Sequence, residues 1–155
     1  MKNILLVLTI ASLMVCCDKD NYIDSGIHEQ KHDCTVWEYF HTDRANWDSL
    51  IVMIEHAGMI KYFDGTNKDE ITILAPTNHS INQYLFQTLD DNGERLHEKV
   101  TDIPADECRE MLLSYMIHGK KFLEDFDHEV KGTQTGGTME QALSGIHLRV
   151  YRITS

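Results

Sequence analysis

An α+β domain is what the sequence predicts, on three observations. Apolar residues recur at three- and four-residue steps in three stretches between Trp47 and Tyr115, a β-branched run ends in Ala75-Pro76, and a glycine-punctuated segment with alternating apolar and polar residues follows Val130. Helices come first and the glycine-rich β region last, the order of segregated elements rather than of repeated β-α-β units. The chain has 155 residues, 42% hydrophobic and 25% charged, which fits one globular domain. A unit near that length removes about 68–70% of its unfolded surface from water, so its core needs no metal or disulfide framework.

Charge narrows the partners. With 14 Lys plus Arg against 25 Asp plus Glu the formal net charge is −11, which opposes nucleic acid and anionic lipid headgroups. The basic residues are scattered, Lys120-Lys121 being the densest group, and the acidic excess reads as a solubilising surface.

From the N-terminus, Lys2 is followed by the uncharged run Ile4 to Val15, then by Cys16-Cys17 and Asp18-Lys19-Asp20. An apolar run of this kind fits the roughly 7–15 residue core of an export signal and falls short of the ~20 residues that span a bilayer. Leu13-Met14-Val15-Cys16-Cys17 resembles a bacterial lipoprotein signal, in which a cysteine thiol receives a diacylglycerol and becomes the new N-terminus. Cys17 is the preferred lipidation site because the small Cys16 would precede the cut; Cys16 is the alternative, as is an ordinary secretory signal. Two or three acyl chains, at about 0.8 kcal/mol per buried methylene, would anchor the protein without a spanning helix. The resemblance implies a cell-envelope location, an outer-membrane lipoprotein exposed at the surface by the acidic residues after the cysteine. The expected organisation is a signal over 1–16, a polar tether over 17–33 and a domain over 34–155. Cys34 and Cys108 remain in the exported protein, as a bridge or as free thiols.

Within the domain, Val36 to Phe40 is short and aromatic-rich, and Trp47, Leu50, Ile51, Ile54 and Ala57 mark one helix face that stops at Gly58. Met59 to Phe63 reads as a further helical turn before the polar loop from Asp64 to Lys68. Ile71-Thr72-Ile73-Leu74 is a strand entering the core, Pro76 ends it, and Thr77 or Asn78 caps a helix carrying Ile81, Tyr84, Leu85 and Leu89. Asn92-Gly93 signals a turn, and Asp102 with Pro104 prepares a helix whose apolar face is Cys108, Met111, Leu112 and Tyr115 and whose end is Gly119, with Lys120-Lys121 at the dipole's negative end. Ile146, Leu148 and Val150 alternate with His147, Arg149 and Tyr151 as in a strand with one buried face.

Thr72-Ile73-Leu74-Ala75-Pro76-Thr77-Asn78 resembles the first signature motif of fasciclin domains, and Leu112 to Lys120 is similar to that family's Leu-Leu-Tyr-His-Val-Val-Pro-Gly-Lys pattern. The resemblance covers about Thr35 to Thr154. It implies a wedge of two β-sheets flanked by helices, with Thr72, Ala75, Pro76, Thr77 and Asn78 in structural roles and Tyr115, His118 and Gly119 as candidate partner contacts. The family's Tyr-His pair aligns with Ser114-Tyr115, so the histidine is absent and receptor adhesion through it is not carried over. The family's closing Asn-Gly and Val-Ile-His motif has no counterpart before Ser155, so the expectation is an incomplete domain with an open sheet edge, a site for homo- or hetero-oligomer pairing.

Other constellations are weaker. His28, His32 and Cys34 lack a second arm for zinc, and no hydrolase or phosphate-loop motif occurs. Ser114 and His118 are spaced one helical turn apart, as surface pairs often are. Asn78-His79-Ser80 is a glycosylation sequon that the helix cap already explains, and Trp37, Tyr39 and Phe40 are either a sugar-stacking platform or core. The expected function is non-catalytic and without cofactor or metal: a lipid-anchored adhesion module for a protein or glycan, or else an accessory subunit that pairs with another fasciclin-like chain.

Overall fold

The computed structural model describes residues 32–133 and 135–153. The expected signal, the lipidation site Cys17 and the tether as far as residue 31 lie outside the described residues. Within them the architecture is α+β: four α-helices and two antiparallel pairs of strands.

Helix α1 (Val36–Thr42) opens on a capping box that the aromatic content of this stretch disguises. Glu38 N–H donates to Thr35 Oγ1 at 3.2 Å, and Thr35 N–H donates to Glu38 Oε2 at 2.8 Å. The bonds from Thr35 hold the Glu38 carboxyl below the usual carboxylate range. Phe40 is buried against Trp47 and Phe63. Asp43 then caps α2 (Arg44–His56), whose Leu50, Ile51, Met53 and Ile54 are buried as their spacing predicts. The helix stops where a left-handed residue is required: Gly58 has φ +64°, its N–H donates to Glu55 O, and Met59 N–H reaches back to Ile54 O at 2.9 Å. A side chain supplies the last acceptor's partner, since Arg109 Nη2 donates to Ala57 O at 2.7 Å. The expected turn after Met59 is a 3-10 turn over Ile60–Tyr62.

Strand β1 (Ile71–Ile73) is half-buried rather than the buried run expected, because among the described residues it pairs with one strand and lies at the rim of a two-stranded ladder. Helix α3 (Asn78–Gln87) follows, burying Ile81 and Leu85. Asp90 Oδ1 then gathers the N–H groups of Asn92 and Glu94 into the turn that Asn92-Gly93 predicts. Asp102 does not cap the next helix. Its carboxylate accepts from Glu98 and Lys99 N–H, both at 3.2 Å, closing the turn before it, and Pro104 occupies the N-cap of α4 (Ala105–Ser114).

The largest departure from the sequence reading lies at the end of α4. The expected helix runs on to Gly119; the observed one ends at Ser114, and Met116–His118 forms β2. Pairing decides this. β2 runs antiparallel to β1 with Ile73 opposite Met116 and Ile71 opposite His118, flanked by Leu74 N–H to Tyr115 O and Gly119 N–H to Glu70 O, each 2.8 Å. Two buried residues, Met116 and Ile117, gain both a ladder and the core, which one more helical turn would not provide. Gly119 therefore follows a strand, and Lys121 pairs with Glu140 at 3.0 Å instead of facing a helix end.

β3 (Thr138–Gln141) and β4 (His147–Val150) make the second pair, with Thr138 opposite Val150 and Gln141 opposite His147. The alternation predicted for β4 is blurred, since Leu148, Arg149 and Val150 are all half-buried and Ile146 is 47% exposed. The pair hangs on β2 through the bridge between Ile117 and Ala142 and through Leu143 N–H to Met116 O at 2.8 Å.

Candidate functional site

The residues singled out in the sequence gather along the β1–β2 ladder and the corner into α3. Thr72 Oγ1 donates to Gly119 O and accepts from Lys121 N–H, both at 2.8 Å, so a single hydroxyl fixes the loop that leaves β2. Ala75 packs against the core and Pro76 stops the ladder. Of the two candidate caps it is Thr77 that serves, accepting from Ser80 N–H at 3.4 Å.

Asn78 does something the sequence did not suggest. Its side-chain amide reaches α2, where Oδ1 accepts from Ser49 N–H at 2.7 Å and Nδ2 donates to Ala45 O at 2.8 Å and Arg44 O at 3.1 Å. Ala45 and Ser49 are the acceptor and donor of one α-helical turn, so the amide bridges the pair and joins α3 to α2. With both ends engaged, the Asn78 amide is a structural clamp and not an open glycosylation acceptor.

Pro76 and Tyr115 line one crevice, of about 40 Å³, between α2, α3 and the end of α4. Met53 comes from α2, Ser80, Ile81 and Tyr84 from α3, and Met111 from α4. Tyr84 Oη donates to Glu107 Oε1 at 3.2 Å; burial, and then the neighbouring Glu107 carboxylate, push the tyrosine pKa up. Tyr115 is 40% exposed at the rim. His118 and Gly119 are not part of this crevice: they lie at the opposite end of β2, with exposed His118 across from Ile71. The apolar wall was legible as the helix faces that carry Met111 and Ile81, but their meeting is tertiary and leaves no spacing signal. Ser80 and Glu107 gave none.

Other expected groupings come apart. Ser114 Oγ donates to Glu110 O at 2.8 Å and accepts from the Ser144 hydroxyl at 3.0 Å, while β2 carries His118 away, so the two do not share a helical turn. Cys34 is exposed and Cys108 is fully buried in α4, both free; burial raises the Cys108 thiol pKa, with Glu107 and Asp106 adding to it. Phe40 points into the core while Tyr39 is exposed, so Trp37, Tyr39 and Phe40 do not form one platform. His28 lies outside the described residues, and among the described ones no three His, Cys, Asp or Glu side chains come together to hold a metal ion. No helix among them is long and apolar enough to cross a membrane.

No protein-family model matches this chain, and no curated protein matches it.

Proposed function

We propose that the chain is a fasciclin-like binding module, held at the bacterial outer membrane by a lipid on Cys17, that contacts a protein or a glycan and catalyses nothing. The observation that carries the reading is the corner itself: a strand over Ile71–Ile73, an end to strand pairing before Pro76, and a helix capped by Thr77. Seven residues that resemble the family's first motif thus adopt the strand-to-helix turn for which those residue types are suited. The wedge of two sheets flanked by helices belongs to the same proposal. Beside the corner lies a crevice with apolar walls and a tyrosine at its rim, the composition of a recognition surface.

Two measurements test it. Mass spectrometry of the membrane-extracted protein is expected to show an N-terminal, diacylated Cys17; an intact Met1 or two unmodified cysteines would remove the anchor. Binding of the soluble form lacking residues 1–17 to native envelopes and to a glycan array is expected to be saturable on at least one of them, and the module reading fails if it is saturable on neither.

A second reading, an accessory subunit paired with another fasciclin-like chain, is favoured by β4. Among the described residues it has β3 on one side and no strand on the other over His147–Val150, with Ile146 and Met139 exposed nearby. Light scattering behind size-exclusion chromatography separates the two, a monomer supporting the module and an obligate oligomer the subunit.

A further inference from the structure

The crevice beside the corner is too small for most ligands and has a definite electrostatic setting. At about 40 Å³ it lies far below the roughly 300–1,000 Å³ of sites that enclose drug-sized molecules. A sugar ring does not enter it, whereas the methyl-bearing tip of one aliphatic side chain does. Met111, half-buried in its wall, is the side chain best able to shift around such a tip, since the unbranched thioether changes rotamer at low cost where packing leaves room. Tyr84 and Tyr115 offer aromatic surface with a polar end, as tyrosines do where interfaces are anchored.

The charge that α4 places beside it is mainly negative. Helix α4, which supplies Met111, carries Asp106, Glu107 and Glu110, all exposed. Among the described residues none of the three takes part in an ion pair. Arg109, the basic residue of α4, has its guanidinium turned onto Ala57 O at the end of α2. α3, the facing wall, has no Lys or Arg. Glu107 touches the lining directly through the Tyr84 hydroxyl. A cationic partner meets complementary charge here, and an anionic one meets repulsion added to the net charge of −11.

We propose that the crevice receives one aliphatic side chain from a lysine- or arginine-rich segment of a partner protein, the flanking cations lying over Glu107 and Glu110. This deepens the binding-module reading and rests on it. Specificity is divided: the crevice selects the aliphatic anchor, and the carboxylates select its neighbours and speed the encounter.

The test uses the full chain in detergent micelles and three labelled peptides: one with a leucine between lysines, a twin with glutamates for the lysines, and a twin with alanine for the leucine. The first peptide is expected to bind, and each twin to bind at least about tenfold more weakly. Ser80→Leu plugs the mouth from an exposed position and keeps the backbone N–H that Thr77 accepts, so it should lower affinity about tenfold or more with an unchanged circular dichroism melt. The pair Glu107→Gln and Glu110→Gln keeps an oxygen for Tyr84 and should remove most of the salt dependence. Equal binding by either twin, or by Ser80→Leu, overturns the proposal. A parallel arm measures binding of the same proteins to native envelopes. Envelope binding that persists in Ser80→Leu overturns the crevice and leaves the module reading standing. Absence of envelope and glycan binding by the unaltered chain overturns both.

Discussion

The helical body and the β3–β4 hairpin are built on different terms. In the body, Leu50, Ile54, Met59, Cys108, Leu112, Met116 and Ile117 have no exposed surface, and side chains from α2, α4 and β2 close on one another. From Asp127 to Ile153, Ala142 is the one buried residue among those described, while Met139 is 61% exposed and Ile153 75%. The hairpin is held by its own ladder, by the bridge at Ala142 and by the half-buried pair of Lys121 with Glu140. One region is stabilised by burial and the other mostly by hydrogen bonding, and net stability per hydrogen bond is the smaller quantity. The body therefore sets global stability, and the hairpin opens first.

Breaking the body should be costly. Leu112→Ala removes a fully buried side chain and should lower unfolding free energy by about 2–5 kcal/mol, read from denaturant midpoints. A loss under about 1 kcal/mol would mean that Leu112 is not central to the packing and would undo the contrast. Asn78→Asp keeps the acceptor for Ser49 N–H but turns a carboxylate toward two carbonyls, and should cost about 2–3 kcal/mol by the same measurement. At Gly137, φ is +75° and an added Cβ would lie 2.7 Å from Val150 O, so Gly137→Ala should cost about 1–3 kcal/mol. Hydrogen exchange should show that loss at β3 and β4 while α2 and α4 keep their protection. Met139→Ser, on the exposed face, should change stability by no more than about 0.5 kcal/mol and so gives the baseline for the hairpin.

Legibility in the sequence follows the same division. Helices α2, α3 and the first part of α4 were readable because each buries one face, which imposes a three-four spacing, and the corner was readable because proline and threonine act through local covalent geometry and a local hydrogen bond. α1 is signalled by the capping box of Thr35 and Glu38, but its seven residues carry too short an apolar pattern to separate a helix from aromatic core packing. β2 was hidden by continuity: Met116 and Ile117 prolong the apolar character of α4, and a strand of three residues is too short to display a period. Its existence depends on β1, more than forty positions earlier in the chain. The crevice was invisible for a related reason, as its walls come from three helices whose contacts no local pattern records. At the candidate site, Tyr115 is a contact the sequence offers, and Pro76, Ile81, Tyr84 and Met111 stand in its motif or on its helix faces, whereas the part of Met53 and the meeting of all of them emerge only from how the helices cross.

The clamp made by Asn78 has a consequence for recognition. One wall of the crevice begins at Pro76 and Ser80 and another carries Met53, and the amide ties the start of the first to the opening turn of the second. The spacing between those walls is set during folding, ahead of any encounter, so the backbone entropy of shaping the gap has already been spent when a visitor arrives. Adaptation is left to the half-buried thioether of Met111, a stiff frame with one soft side, which suits a surface that must hold differing aliphatic tips with similar strength.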